Sequence, residues 1–180
     1  MDADEVHTVL DALAAAGCDA WISGGWGVDA LVGRRTRPHR DLDLAIAAEH
    51  EPAALRALGR LGYLIETDWR PVRVEVVAEG RGRVDLHPLT FDDAGDGHQA
   101  GLDGHVFHWP RACFTTGTIA GRPVGCISVE QQLLFHSGYE PRDVDHADLA
   151  SLRGIAAAPP YAPAQLVDTA PGDVARDDPT

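Results

Sequence analysis

The sequence predicts an α/β (α+β) domain: a β-sheet flanked by helices, with a small helical segment at its C-terminal end. Apolar residues recur at helical spacing in residues 4–16, 51–61, 129–137 and 143–153. Residues 41–46, 72–77 and 83–89 instead alternate apolar with polar side chains, the period of a half-buried strand. The 180 residues, 44% hydrophobic and 24% charged, suffice for one core. A chain of this size buries roughly 70% of its unfolded surface and needs no disulfide or metal staple.

The elements follow in order. Val6, Val9, Leu10, Leu13 and Ala14 form one face of a first helix that ends at Gly17. A short apolar strand over 19–23 runs into Gly24-Gly25, and a helix of about two turns from Trp26 to Val32 stops at Gly33. The basic, proline-containing stretch 34–40 reads as a loop. The strand 41–46 sends the carboxylates of Asp41 and Asp43 to one face and Leu42 and Leu44 into the core. Pro52 suits the first turn of the next helix. Strands are expected over 63–67, 72–77 and 83–89, and a flexible loop or hairpin over 92–104, which is rich in Gly and Asp. The expected organisation is a core over 1–110, a helical segment over 111–153 that closes a cleft, and a disordered or loosely attached Ala/Pro/Asp-rich tail over 154–180. There is no internal repeat.

Fifteen Lys and Arg stand against 28 Asp and Glu, a formal net charge of −13. Such a surface repels nucleic-acid phosphate and attracts cationic small molecules and divalent metals. No apolar run approaches the ~20 residues of a membrane span. The N-terminus is acidic where a secretory signal would be basic, so the expected address is the cytoplasm, with no membrane or nucleic-acid partner. Cys18, Cys113 and Cys126 are odd in number and widely spaced, which predicts reduced, buried thiols.

The chemistry centres on Asp41, Asp43 and Asp85. Two like charges side by side on a strand are costly unless a cation lies between them. Hard oxygen ligands select Mg²⁺ or Mn²⁺ over zinc. Asp85, in the alternating Val84-Asp85-Leu86, reaches the same face if the strands are neighbours; solvated carboxylates on an edge strand are the bland alternative. Ser23-Gly24-Gly25-Trp26-Gly27 supplies the other half. Glycines at a strand-to-helix turn let backbone N–H groups approach an anion, and the helix N-terminus adds positive partial charge. A phosphate cradle and a carboxylate pair are the two halves of a phosphoryl-transfer site. Gly25-x-Gly27-x-x-Ala30 also matches a dinucleotide fingerprint, but its helix is short and a basic loop follows where a parallel crossover is required.

Gly24-Gly25 followed by Asp41-Leu42-Asp43-Leu44 resembles the signature of the DNA polymerase β-type nucleotidyltransferase superfamily. The fuller pattern, residues 21–33 and 36–44, is similar to the antibiotic nucleotidyltransferases, both the aminoglycoside 2″-enzymes and the small lincosamide enzymes. Residues 84–88, 126–139 and 145–148 favour the lincosamide branch. The likeness covers about residues 5–153. It implies a nucleotidyltransferase fold with a mixed sheet, and transfer of AMP from ATP (or another nucleoside triphosphate) with Mg²⁺ to a drug hydroxyl. Asp41 and Asp43 would hold metal, and Asp85 would act as general base or third ligand. Ser23, Gly24 and Gly25 would cradle phosphates, and Arg37 and Arg40 would add positive charge. The implied partners are a drug and a nucleotide, with a homodimer as the expected assembly. An aminoglycoside or other acceptor, and a non-catalytic nucleotide-binding or antitoxin module, are the alternatives.

Other residues carry two readings each. Asp29 is expected to orient the glycine turn, and His39 to contact phosphate or to cap. His87 shares the face of Asp85. His98, His105 and His108 form a candidate metal set without diagnostic spacing. Trp69 and Trp109 are expected as pocket walls or core, and Arg73 with Glu75 as an ion pair. His136 and Tyr139 are candidates to touch the base, whereas Asp145, His146 and Asp148 read as structural.

Overall fold

The computed structural model describes residues 1–137, 140 and 142–157; Tyr139 and the expected tail beyond 157 lie outside the described residues. Helix α1 (Ala3–Ala15) starts where the Asp2 carboxylate accepts the Glu5 N–H, and it buries Val6, Val9 and Leu13. Strand β1 (Ala20–Ser23) passes directly into α2 (Gly24–Val32), which ends at Gly33 in the left-handed conformation. Strand β2 (Asp41–Ala47) and helix α3 (Glu51–Arg60) follow, with Pro52 in the first turn of α3. A meander of β3 (Leu64–Trp69), β4 (Arg73–Ala78) and β5 (Gly82–Phe91) comes next.

The remaining elements are β6 (Gly97–Ala100), β7 (Val106–Trp109), β8 (Phe114–Ile119), β9 (Arg122–Ile127), α4 (Val129–Phe135) and α5 (Asp143–Ala156). Of the loop or hairpin expected over 92–104, the hairpin forms: β6 lies in that stretch and pairs antiparallel with β7 just beyond it. The expected helical segment over 111–153 opens with the β8–β9 hairpin, and α5 continues three residues into the expected tail.

The strands make one mixed sheet in the order β3-β4-β5-β2-β1-β9-β8. The β2–β5 and β1–β9 pairs are parallel, and the others antiparallel. Beyond the end of β4, β6 pairs with β5 and carries β7 on its other edge. Leu42, Leu44 and Ile46 of β2, Val74 and Val76 of β4, and Val84 and Leu86 of β5 face α1 and α3 in the main core. Alternation sends their neighbours to the opposite face, where a smaller cluster of Ala45, Leu89, Trp109, Cys113 and Ile127 supports the site. All three cysteines are free and buried, as their spacing predicts. Among the described residues no helix is long and apolar enough to cross a membrane.

Candidate active site

Four polar residues occupy one row across adjacent strands. Ser23 of β1 pairs in register with Asp43 of β2, Asp43 with Asp85 of β5, and Asp85 with Glu75 of β4. Strands about 4.8 Å apart therefore place Asp43 and Asp85 side by side. Asp43, Asp85 and His87 each offer a ligand atom, and these atoms lie within 4.8 Å of one another. Asp41 stands two residues earlier on β2, outside that group, and lines the same cavity as Asp43. The His98/His105/His108 set is not assembled. His98 and His108 pair separately with Asp92 and Asp96, and His105 packs on Phe107.

The electrostatics of the row are unbalanced. The Asp85 side chain is only 9% exposed. Its Oδ2 meets the Arg73 guanidinium, while its Oδ1 is buried without a partner. Burial pushes the Asp85 carboxyl above its ordinary pKa; His87 and Arg73 oppose the shift, and Asp43 adds to it. Arg73 in turn stacks over Trp69, 4.6 Å from the ring centroid. Its contact with Glu75 is the longer one, at 4.0 Å, and Glu75 is held more closely by Arg83 at 2.8 Å.

Ser23, Gly24 and Gly25 line a polar cavity of about 290 Å³ together with Asp41, Asp43, Arg37 and residues of α4 and α5. The Ser23 hydroxyl makes no capping bond to α2. Gly24 adopts φ +58, and a Cβ there would lie 2.2 Å from Oδ2 of Asp43, so only glycine leaves room for that carboxylate. Two of the cavity's cations are already engaged: Arg37 forks onto Asp148 at 2.7 and 3.1 Å, and Arg142 pairs with Asp145 at 3.0 Å. Asp41 has Arg40 at 3.6 Å, but that arginine is 81% exposed and lines neither this cavity nor the next. The surplus of carboxylate at Asp41 and Asp43, with the orphaned oxygen of Asp85, fits a divalent cation.

A second cavity of about 600 Å³ opens on the other side of Ser23. Trp69, Trp109, Phe107, Phe135, Val72 and Leu102 form its apolar walls, and Arg73, His87 and Gln99 its polar ones. Both tryptophans thus act as walls, Trp109 also being buried in the smaller core cluster. Ser23 and Phe135 belong to both cavities, so the two adjoin at Ser23, which pairs in register with Asp43.

Asp29 and His39 hold the frame of the turn. Asp29 accepts from Thr36 and meets Nε2 of His39 at 2.5 Å. A Cβ on Gly25 would lie 2.5 Å from both Arg37 and His39. His136 borders the polar cavity and contacts the Gln132 carbonyl at 2.8 Å, while His146 is exposed. Sequence reasoning missed Gln132 and Gln99. Buried Gln132 of α4 donates to the Gly24 carbonyl at 3.2 Å, tying the glycine turn to the helical segment. A glutamine in an amphipathic helix carries no signal of its own; its burial and its bond to the Gly24 carbonyl mark it.

A glycine turn at a helix start, facing paired carboxylates on a mixed sheet, defines a nucleotidyltransferase, and comparison with known proteins shows that the chain is one. It belongs to the aminoglycoside-2″-adenylyltransferase family, whose sequence model matches residues 5–152. The chain is 38% identical over 151 residues to a lincosamide resistance protein of Staphylococcus haemolyticus, covering 84% of this chain and 94% of the relative. It is 33% identical over 130 residues to a 2″-aminoglycoside nucleotidyltransferase of Escherichia coli, covering 69% and 67%. The lincomycin-bound crystal structure of the lincosamide antibiotic adenylyltransferase LnuA matches with a TM-score of 0.78 at 38% identity, over 84% of this chain and 96% of that one. The solution structure of ANT(2″)-Ia matches with a TM-score of 0.68 at 26% identity, over 86% and 84%.

Proposed function

We propose that this protein transfers AMP from ATP, with Mg²⁺, to a hydroxyl group of a small-molecule antibiotic, a lincosamide in the first place. The observation that carries the reading is Asp43 in the wall of a polar, carboxylate-bearing cavity, with Asp85 beside it in register and the partners of Asp85, Arg73 and His87, lining a larger apolar cavity that shares Ser23 with the first. The nucleotide takes the polar side, with its phosphates against Ser23, Gly24, Gly25 and the start of α2. Asp41 and Asp43 hold the metal, which when bound neutralises charge on the triphosphate. The acceptor takes the apolar side, where Arg73, the ion-pair partner of Asp85, forms part of the wall, and Asp85 receives its hydroxyl proton. The hydroxyl oxygen then bonds to the α-phosphorus as the bond to the β-phosphate breaks and pyrophosphate leaves. Arg37 stiffens the polar cavity through Asp148 and adds positive potential there; Arg40 acts only through its exposed contact with Asp41. The cytoplasm supplies both ATP and Mg²⁺ and is the proposed compartment.

An aminoglycoside acceptor is the second reading, favoured by the family model. The lining of the apolar cavity favours a lincosamide: among the described residues it holds four aromatic walls and Arg73, with no carboxylate to receive a polycation. Incubation with MgATP and either lincomycin or tobramycin, followed by mass spectrometry, separates the readings. Lincomycin heavier by one AMP is expected, and Asp43→Asn is expected to abolish the product while keeping the wild-type circular dichroism. Wild-type turnover by Asp43→Asn would overturn the assignment. Protein that binds ATP but modifies no acceptor would favour the nucleotide-binding module.

A further inference from the structure

The Asp43/Asp85/His87 group presents two carboxylates and an imidazole, a donor set that zinc would accept as readily as magnesium. Whether His87 is a ligand depends on which ring nitrogen carries its proton. Nδ1 of His87 lies 3.0 Å from the side-chain nitrogen of Gln99, a buried residue of β6 that pairs in register with Leu89 of β5. The same amide nitrogen donates to the Val72 carbonyl at 3.3 Å. That second contact orients the amide, because turning it over would set its oxygen against a carbonyl oxygen. Gln99 therefore offers His87 an N–H, and Nδ1 must accept it. In the neutral ring the proton then resides on Nε2, which faces Oδ1 of Asp43 at 3.5 Å.

We propose that Gln99 and His87 are positioning residues: Gln99 locks His87 in its Nε2–H form, so that His87 donates to Asp43 and orients that carboxylate instead of serving as a third metal ligand. The consequence is a metal site built from oxygen alone. The His87 N–H holds Oδ1 of Asp43, and Gly24 leaves space for its Oδ2. An imidazole whose Nε2 carries a proton has no lone pair for a metal there, so the site disfavours zinc relative to Mg²⁺ or Mn²⁺.

The proposal rests on reading Asp43 as a metal ligand, but its first test does not require metal, nucleotide or drug. Metal-free protein labelled with ¹⁵N-histidine is examined by NMR at about pH 8, and His87 is assigned by the signal lost in His87→Asn. A protonated Nε2 and an unprotonated Nδ1 are expected; the reverse overturns the proposal even if the transfer assay succeeds. The Gln99→Glu variant places a carboxylate acceptor beside Nδ1 and is expected to reverse the tautomer.

The second test is Zn²⁺ affinity by competition with a chromogenic chelator. Gln99→Glu is expected to gain about 10–100-fold in Zn²⁺ affinity over wild type, the usual scale for residues that orient a ligand, and the gain is expected to vanish in the Gln99→Glu/His87→Asn double variant. No gain in Gln99→Glu, or a gain that persists in the double variant, would overturn the proposal. If the tautomer stands while Asp43→Asn keeps its turnover, the failure lies with the metal assignment and not with Gln99.

Discussion

Gly24→Ala tests how tightly the glycine turn and the metal-binding carboxylate are coupled. Gly24 has φ +58, where an L-side chain costs about 1–2 kcal/mol. For a domain of this size that predicts a fall in Tm of roughly 2–8 °C. The new methyl group would also lie 2.2 Å from Oδ2 of Asp43. Asp43 must yield by roughly an ångström, and a displacement of that size at a reacting centre costs about 10²-fold in kcat. Gly33→Ala is the control. Gly33 has φ +75 and nothing within 4 Å of an added Cβ, so the same backbone strain arises without the collision. Thermal melts and steady-state transfer kinetics on both variants separate the two effects. Similar losses of Tm are expected, with kcat reduced only in Gly24→Ala. Equal kcat values in the two variants would refute the idea that the bare Cα of Gly24 seats Asp43.

Asp85→Asn keeps the shape of the site but removes the proton acceptor, so kcat is expected to fall by about 10²–10⁴-fold with the circular dichroism unchanged; activity within tenfold of wild type would exclude Asp85 as base. Asp29 gives a pH prediction. Burial acts to raise its pKa, but hydrogen bonds from His39 and Thr36 outweigh burial and hold the carboxyl below its ordinary 3.8. A carboxyl lowered on folding stabilises the protein above its unfolded pKa, and that contribution fades as pH falls through the folded value. Asp29→Asn should therefore be less stable than wild type by about 1–3 kcal/mol at pH 7 and converge on it as pH falls below about 4, as read by denaturant unfolding. An undiminished gap in acid would contradict the assignment.

Much of the site was legible because its parts are local. The Asp41/Asp43 alternation requires a strand with both acids on one face, and Ser23-Gly24-Gly25 announces a strand-to-helix turn within five residues. The β8–β9 hairpin was not legible: Gly117, Pro123 and Gly125 interrupt any strand-like alternation, and its place beside β1 depends on a parallel pairing more than a hundred residues apart in sequence. His98 and His108 show the converse, closeness without a shared site. Their cross-strand pairing on β6 and β7 brings the rings to 5.4 Å, yet each is turned to its own aspartate. Arg37 is similar, since its fork onto Asp148 joins residues 111 positions apart.

From sequence alone came the helix and strand periods, the two acids on one face, the glycine turn and the excess negative charge, because each is set by neighbours within a few residues. Only the tertiary structure decided that Asp85 stands beside Asp43 and that Arg73 holds one of its oxygens while the other is left bare. It also decided that Gln99 reaches His87 from another strand. Those facts depend on strand order and register, and register is chosen by how whole faces pack against the core, which no local stretch of the chain can specify.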